Sequence, residues 1–106
     1  MSKRSKATDI PKEVREEVYH RHKGLCLWCV EKGLVKEGIP NVHYIPRSQG
    51  GLGIVENVLN GCVECHHEFD NGKDREWYQQ VADKYMIETY PDFTDEMRIY
   101  DKWRKE

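Results

Sequence analysis

Four cysteines stand in two Cys-x-x-Cys pairs, Cys26/Cys29 and Cys62/Cys65. Two residues between thiolates let one tight turn aim both sulfurs at a single ion, and two such turns complete the tetrahedral set that structural zinc takes. The redox use of a Cys-x-x-Cys would place one pair beside a βαβ pattern, and that pattern is absent here. Such a site braces a fold and by itself says nothing about activity. Other groups with chemistry lie close by. His66, His67 and Asp70 follow Cys65, and His43 sits in a short run of β-formers. His66 and Asp70 are four apart, so on a helix both face one side, with His67 turned about a quarter turn away. Imidazole and carboxylate are both ligands for divalent cations, and imidazole titrates in the range needed to take a proton from water.

The interval between the two pairs is informative. Thirty-two residues separate Cys29 from Cys62, more than in a simple zinc ribbon. That interval holds Val42-His43-Tyr44-Ile45, a glycine-rich loop and Asn57. A metal on the four thiolates would staple both ends of an element too small to hold its own shape.

The stretch Val42-His43-Tyr44-Ile45-Pro46-Arg47-Ser48-Gln49-Gly50-Gly51, then Asn57, then Cys62-x-x-Cys65-His66, resembles the HNH endonuclease family. The match covers about forty residues and extends to the knuckle at Cys26. The wording from His43 through Gly53, with Tyr90-Pro91-Asp92-Phe93 downstream, looks most like bacteriophage and prophage members. The resemblance implies a ββα-metal, treble-clef-like module in which His43 is the general base. It puts His66 on the metal-ligand histidine and Asp70 where some members carry a second ligand, so that these two hold a catalytic Mg²⁺, Mn²⁺ or similar ion. Asn57 falls on the middle letter of the motif, whose side chain ties the loop to neighbouring backbone. Arg47, beside the glycine loop, is a candidate phosphate contact, with a solvated arginine the near-equal alternative. His67 is a reserve ligand.

Two positions depart from the family pattern. Many relatives carry a metal-binding Asp or His directly before the general base, and this chain has Val42, which coordinates nothing. Gly61 stands where a leucine usually precedes the cysteine.

The elements that must position these groups can be read from pattern. Residues 1–8 read as a disordered basic tail and 9–106 as one domain. Pro11 marks a helix start, with Asp9 or a neighbour capping, and Val14, Val18 and Arg21 recur at helical spacing up to Gly24. Val42 to Ile45, between Pro40 and Pro46, predicts a short strand, and Arg47 to Gly53 a loop. His66 to Asp70 begins a helix that stops at Asn71-Gly72. A longer helix follows from Lys73, with Trp77, Val81 and Tyr85 as its packing stripe, until Pro91. Thr94 caps a last helix carrying Met97, Tyr100 and Trp103. The expected architecture is α+β: an N-terminal helix, a zinc-stapled β-hairpin with a glycine loop, a metal-binding helix and two C-terminal helices.

Bulk composition bounds the rest. At 106 residues with 38% apolar content, the chain forms one domain with a thin core, which favours an added brace. Met1 to Lys6 is basic with no apolar stretch behind it, and the longest apolar run, Leu25 to Val30, is far too short to span a bilayer. A cytoplasmic place in a bacterial or phage-infected host is expected, where thiols stay reduced and disulfide pairing is the weaker reading of the cysteines. The net charge of −2 excludes a protein that coats nucleic acid by bulk attraction, so any DNA contact must be local. The expected function is metal-dependent nicking or cleavage of DNA, leaving 5′-phosphate and 3′-hydroxyl ends as the resemblance implies. By analogy, a phage terminase is a candidate partner. The alternative is a zinc-braced DNA- or protein-binding module whose catalytic site has lapsed, and a third reading is a host-defence or mobile-element nuclease.

Overall fold

Val42 and Val58, both β-branched, lie in the two strands of a small antiparallel sheet. In the computed structural model, which describes residues 2–101, β1 (Ile39–His43) pairs with β2 (Val58–Gly61). Val42 lies opposite Leu59 and His43 opposite Val58. The strand expected over Val42–Ile45 therefore starts earlier, includes Pro40 and ends at His43, leaving Tyr44 and Ile45 outside it. The pairing is irregular between Ile39 and Val42, where a residue without an N–H costs the ladder nothing.

Two short helices carry the cysteine pairs. Cys26 is the N-cap of α3 (Leu27–Glu31), and Cys62 is the N-cap of α4 (Val63–Asn71). The α4 helix ends at Gly72, as the Asn71-Gly72 punctuation predicts. The long helix α5 (Arg75–Thr89) then packs on α4 and α3. Its buried residues are Tyr78, Ala82 and Met86, one position on from the expected line of Trp77, Val81 and Tyr85. Val81 and Tyr85 of the expected line still pack, partly buried, against the edge of the core, while Trp77 is the exposed member.

The core sits between the sheet and these helices, around the fully buried Trp28 of α3. Its ring lies 5.1 Å from that of Phe69 and 6.0 Å from that of Tyr78, and its Nε1 donates to the Tyr78 carbonyl at 2.9 Å. A Cβ on Gly61 would fall 2.6 Å from this indole. The space that a leucine would need before Cys62 is occupied by Trp28, which accounts for the glycine.

Both ends of the described chain differ from expectation. The segment read as a disordered tail contains a helix, α1 (Lys3–Thr8), capped by Ser2. It is held by tertiary contacts: Thr8 is 3% exposed, Arg4 donates to the Ser48 carbonyl at 3.0 Å, and Gly53 N–H donates to the Ala7 carbonyl at 3.0 Å. The following helix, α2 (Lys12–Arg21), has Pro11 as its N-cap with no side-chain cap, so Asp9 does not cap it. Arg21, on its last turn, donates to the carbonyls of Val55 (2.8 Å) and Val58 (2.6 Å) and to the Tyr90 hydroxyl (2.8 Å). At the other end, Thr94 does cap, but the element is a single 3₁₀ turn, Asp95–Arg98. Met97 is exposed, and the side chain that anchors this turn is Arg98, 3% exposed and bonded to the carbonyls of Glu56 and Phe93. Ile99 then runs antiparallel to Gly51, where hydrogen bonds from Leu52 N–H to Arg98 and from Tyr100 N–H to Gly50 hold it extended. Trp103 lies outside the described residues. Among those described, no helix is long and apolar enough to cross a membrane.

Candidate active site and metal centre

The four cysteine sulfurs lie within 4.8 Å of one another, all buried. Cys29 Sγ is 3.8 Å from both Cys62 Sγ and Cys65 Sγ. A tetrahedral ion with metal–sulfur bonds of about 2.3 Å has sulfur–sulfur edges of about 3.8 Å, so the spacing suits zinc. Each pair closes on itself in the same way, with Cys29 N–H donating to Cys26 Sγ and Cys65 N–H to Cys62 Sγ. Helix α3 begins at one knuckle and α4 at the other, so the cluster ties together the elements that flank the sheet. In the protein alone, burial pushes the Cys29 thiol up to about 11 and the Cys65 thiol higher still, and a divalent cation is the counter-charge that permits four buried thiolates. Lys32 Nζ, 3.8 Å from Cys65 Sγ, offsets part of the excess negative charge of such a set. The cluster could hold a structural metal such as zinc.

A second group of side chains lines a groove of about 900 Å³ between β1, α4 and the turn after β1. His43, Arg47, His66 and Asp70 all border it. His43 ends β1, and its Nε2 lies 2.8 Å from the carbonyl oxygen of Thr8. A carbonyl only accepts, so Nε2 carries the proton and Nδ1 of the neutral ring keeps its lone pair. Burial lowers the His43 pKa from the ordinary imidazole value, the Thr8 carbonyl opposes this, and Arg47 adds to the lowering. The ring is thus neutral at neutral pH and able to accept a proton.

His66 and Asp70 stand on one face of α4, where the spacing of four places them, with Nε2 and Oδ2 3.2 Å apart. A ring nitrogen and a carboxylate oxygen side by side on an open groove form a donor pair suited to a divalent cation. His67 is exposed and borders a neighbouring recess of about 310 Å³. Arg47 reaches the groove, but its guanidinium is paired with Asp9 Oδ1 at 2.6 Å.

Asn57 is fully buried and does not face the groove. Its Oδ1 accepts from Ile45 N–H at 2.8 Å, and its Nδ2 donates to the carbonyls of Ile45 (3.2 Å) and Leu52 (2.9 Å). The amide side chain takes the place of a strand residue, so the ladder ends at His43 while the loop stays fixed. The loop itself must be close-packed: a Cβ on Gly51 would overlap the Ile45 carbonyl, and one on Gly53 would overlap that of Asp9. Val42 is fully buried against the core, facing away from His43. The position that holds a ligand in the resembled family therefore points inward here.

Several groove residues escaped the sequence reading. Asn41 lies two before His43 on β1 and borders the groove with it, but the irregular pairing between Ile39 and Val42 keeps simple alternation from marking it. Arg15 and Arg75 also reach the groove, from α2 and α5. Asp9, also in the lining, and Thr8, whose carbonyl meets His43, come from the segment before α2, and no local pattern marks them for the site. Compared with family models, with curated proteins and with solved structures, the chain matches none.

Proposed function

We propose that this chain is a metal-dependent endonuclease of the HNH type, a zinc-braced ββα-metal module that hydrolyses DNA phosphodiester bonds. One juxtaposition carries the reading: the half-buried His43, the His66–Asp70 pair and Arg47 line a single groove. Hydrolysis of a phosphodiester needs an activated water, charge neutralisation on the phosphate and help for the departing oxygen. His43 supplies the first. Its Nε2 is engaged by Thr8, so the proton from water goes to Nδ1. His66 Nε2 and an Asp70 carboxylate oxygen would hold a divalent cation, Mg²⁺ or Mn²⁺, which when bound neutralises charge on the phosphate and the leaving oxygen. Arg47 exchanges Asp9 for a phosphate oxygen pair, a better bidentate partner in a groove that Arg15 and Arg75 also make positive. Sequence-independent backbone contact of this kind suits DNA despite the net negative charge of the whole chain.

The products are 5′-phosphate and 3′-hydroxyl ends. The phage-like wording around the glycine loop extends the proposal to a nuclease acting beside a terminase in the cytoplasm of an infected host. The deciding experiment is plasmid nicking with Mg²⁺, Mn²⁺ or EDTA, run beside His43→Ala. Metal-dependent nicks lost in the variant support the enzyme. A second reading, a DNA- or protein-binding module without catalysis, is favoured by the inward-facing Val42 and by the pairing of Arg47 with Asp9. DNA retention without nicks under any metal would select it.

A further inference from the structure

We infer that the side-chain amide oxygen of Asn41 is a third protein ligand of the groove's divalent cation, taking the place that Val42 cannot fill. The inference rests on the metal-dependent reading above and concerns which of this chain's residues hold the ion.

Three observations lead to it. Val42 is fully buried and packs in the core with Leu59 and Trp28, so no substitution there would reach the groove without turning the strand over. Asn41 and His43 lie two apart on β1, and both border the groove that His66 and Asp70 line. Asn41, His66, Asp70 and Asn71 also border the neighbouring recess, so these four form the partition between the two hollows. Asn41, from β1, and the His66–Asp70 pair, from α4, thus border the same two hollows from different elements. A carboxamide oxygen is a hard, neutral donor of the kind Mg²⁺ and Mn²⁺ accept beside one carboxylate. Two ligands from one helical turn leave an ion loosely held. A third from the facing strand would fix it between β1 and α4, on the side of the sheet that carries His43. Asn71 borders both hollows as well, but it sits on α4 itself, one residue and about 100° of helix past Asp70, so it is the competing residue that the test must separate from Asn41.

The test uses the full-length zinc-loaded protein and Mn²⁺, with free Mn²⁺ followed by its electron paramagnetic resonance signal. Asn41→Ala should weaken Mn²⁺ binding about ten-fold or more, with zinc content and melting temperature unchanged because the side chain is exposed. Asn41→Asp should bind Mn²⁺ at least as tightly as the parent. In the parent, bound Mn²⁺ should broaden the Asn41 side-chain amide resonances beyond detection. Unchanged affinity in Asn41→Ala, with binding lost in His66→Ala, would overturn the assignment of Asn41 and leave the metal reading standing. So would a loss seen in Asn71→Ala instead. A parent protein that takes up no more Mn²⁺ than His66→Ala would overturn the metal reading and this inference together.

Discussion

His43 Nε2 and the Thr8 carbonyl oxygen stand 2.8 Å apart, joining the end of β1 to a helix thirty-five residues earlier in the chain. The contact orients the ring and selects its tautomer. In ¹⁵N-labelled protein, His43 should therefore be protonated at Nε2 and free at Nδ1. His43→Ala should reduce nicking by about 10² to 10⁴ while zinc content and helicity stay as they are. The base must be unprotonated to act, and burial lowers its pKa, so kcat/KM should fall only as pH drops below the ordinary imidazole value of about 6.5. Undiminished nicking by His43→Ala would assign the water to another residue.

The cysteine cluster should contain one tightly held zinc per chain. Structural zinc in small modules contributes on the order of 10 kcal/mol to folding, so Cys62→Ser should unfold most of the domain. A variant as stable and as zinc-rich as the parent would remove the brace.

Asn57→Ala strips three hydrogen bonds from part-buried backbone at Ile45 and Leu52. Groups left unpaired in that way cost about 1 to 3 kcal/mol each at most, so a fall in melting temperature is expected together with lost nicking. Full stability in the variant would show that water or a relaxed loop replaces the amide.

Val42→Asp should not restore a metal ligand. The side chain would enter the core beside Leu59 and Trp28, where an unpaired charge costs about 3 kcal/mol or more. Lower stability in denaturant, with no gain in Mn²⁺ affinity, is the expected result. A stable variant that binds Mn²⁺ more tightly would mean that β1 turns over to present position 42 to the groove.

His22 stacks on Tyr85 with ring centroids 4.7 Å apart, and burial, reinforced by Arg21, lowers its pKa to about 3. The unfolded chain binds a proton near pH 6.5 that the folded chain refuses, so stability rises with pH across this range. Its share is complete above pH 6.5 and is lost on acidification toward pH 3, at no more than about 1.4 kcal/mol per pH unit. His22→Phe keeps a ring on Tyr85 without the proton. Its denaturant midpoint should depend less steeply on pH between 6.5 and 4.5 than the parent's, with zinc loss common to both. Identical slopes would assign the acid sensitivity elsewhere.

Spacing along the chain was enough to couple Cys26 with Cys29 and Cys62 with Cys65, to place His66 and Asp70 on one face of α4, and to end that helix at Gly72. These are local geometries: two-residue turns and one helical turn leave few alternatives once the element forms. The α+β class and the short strand at Val42 and His43 were legible for the same reason. The tertiary structure decided what local pattern leaves free. It put Tyr78, Ala82 and Met86 of α5 in the core and left Val81 and Tyr85 at its edge. It folded Lys3–Thr8 against the glycine loop, turned the end of the described chain into a 3₁₀ turn anchored by Arg98, and sent Val42 inward while Asn41 and His43 border the groove. Each of these rests on contacts between residues far apart in sequence. Hydrophobic periodicity reports that a face will be buried, but the partner that buries it, and the carbonyl or carboxylate that meets a given side chain, exist only once the chain has closed on itself.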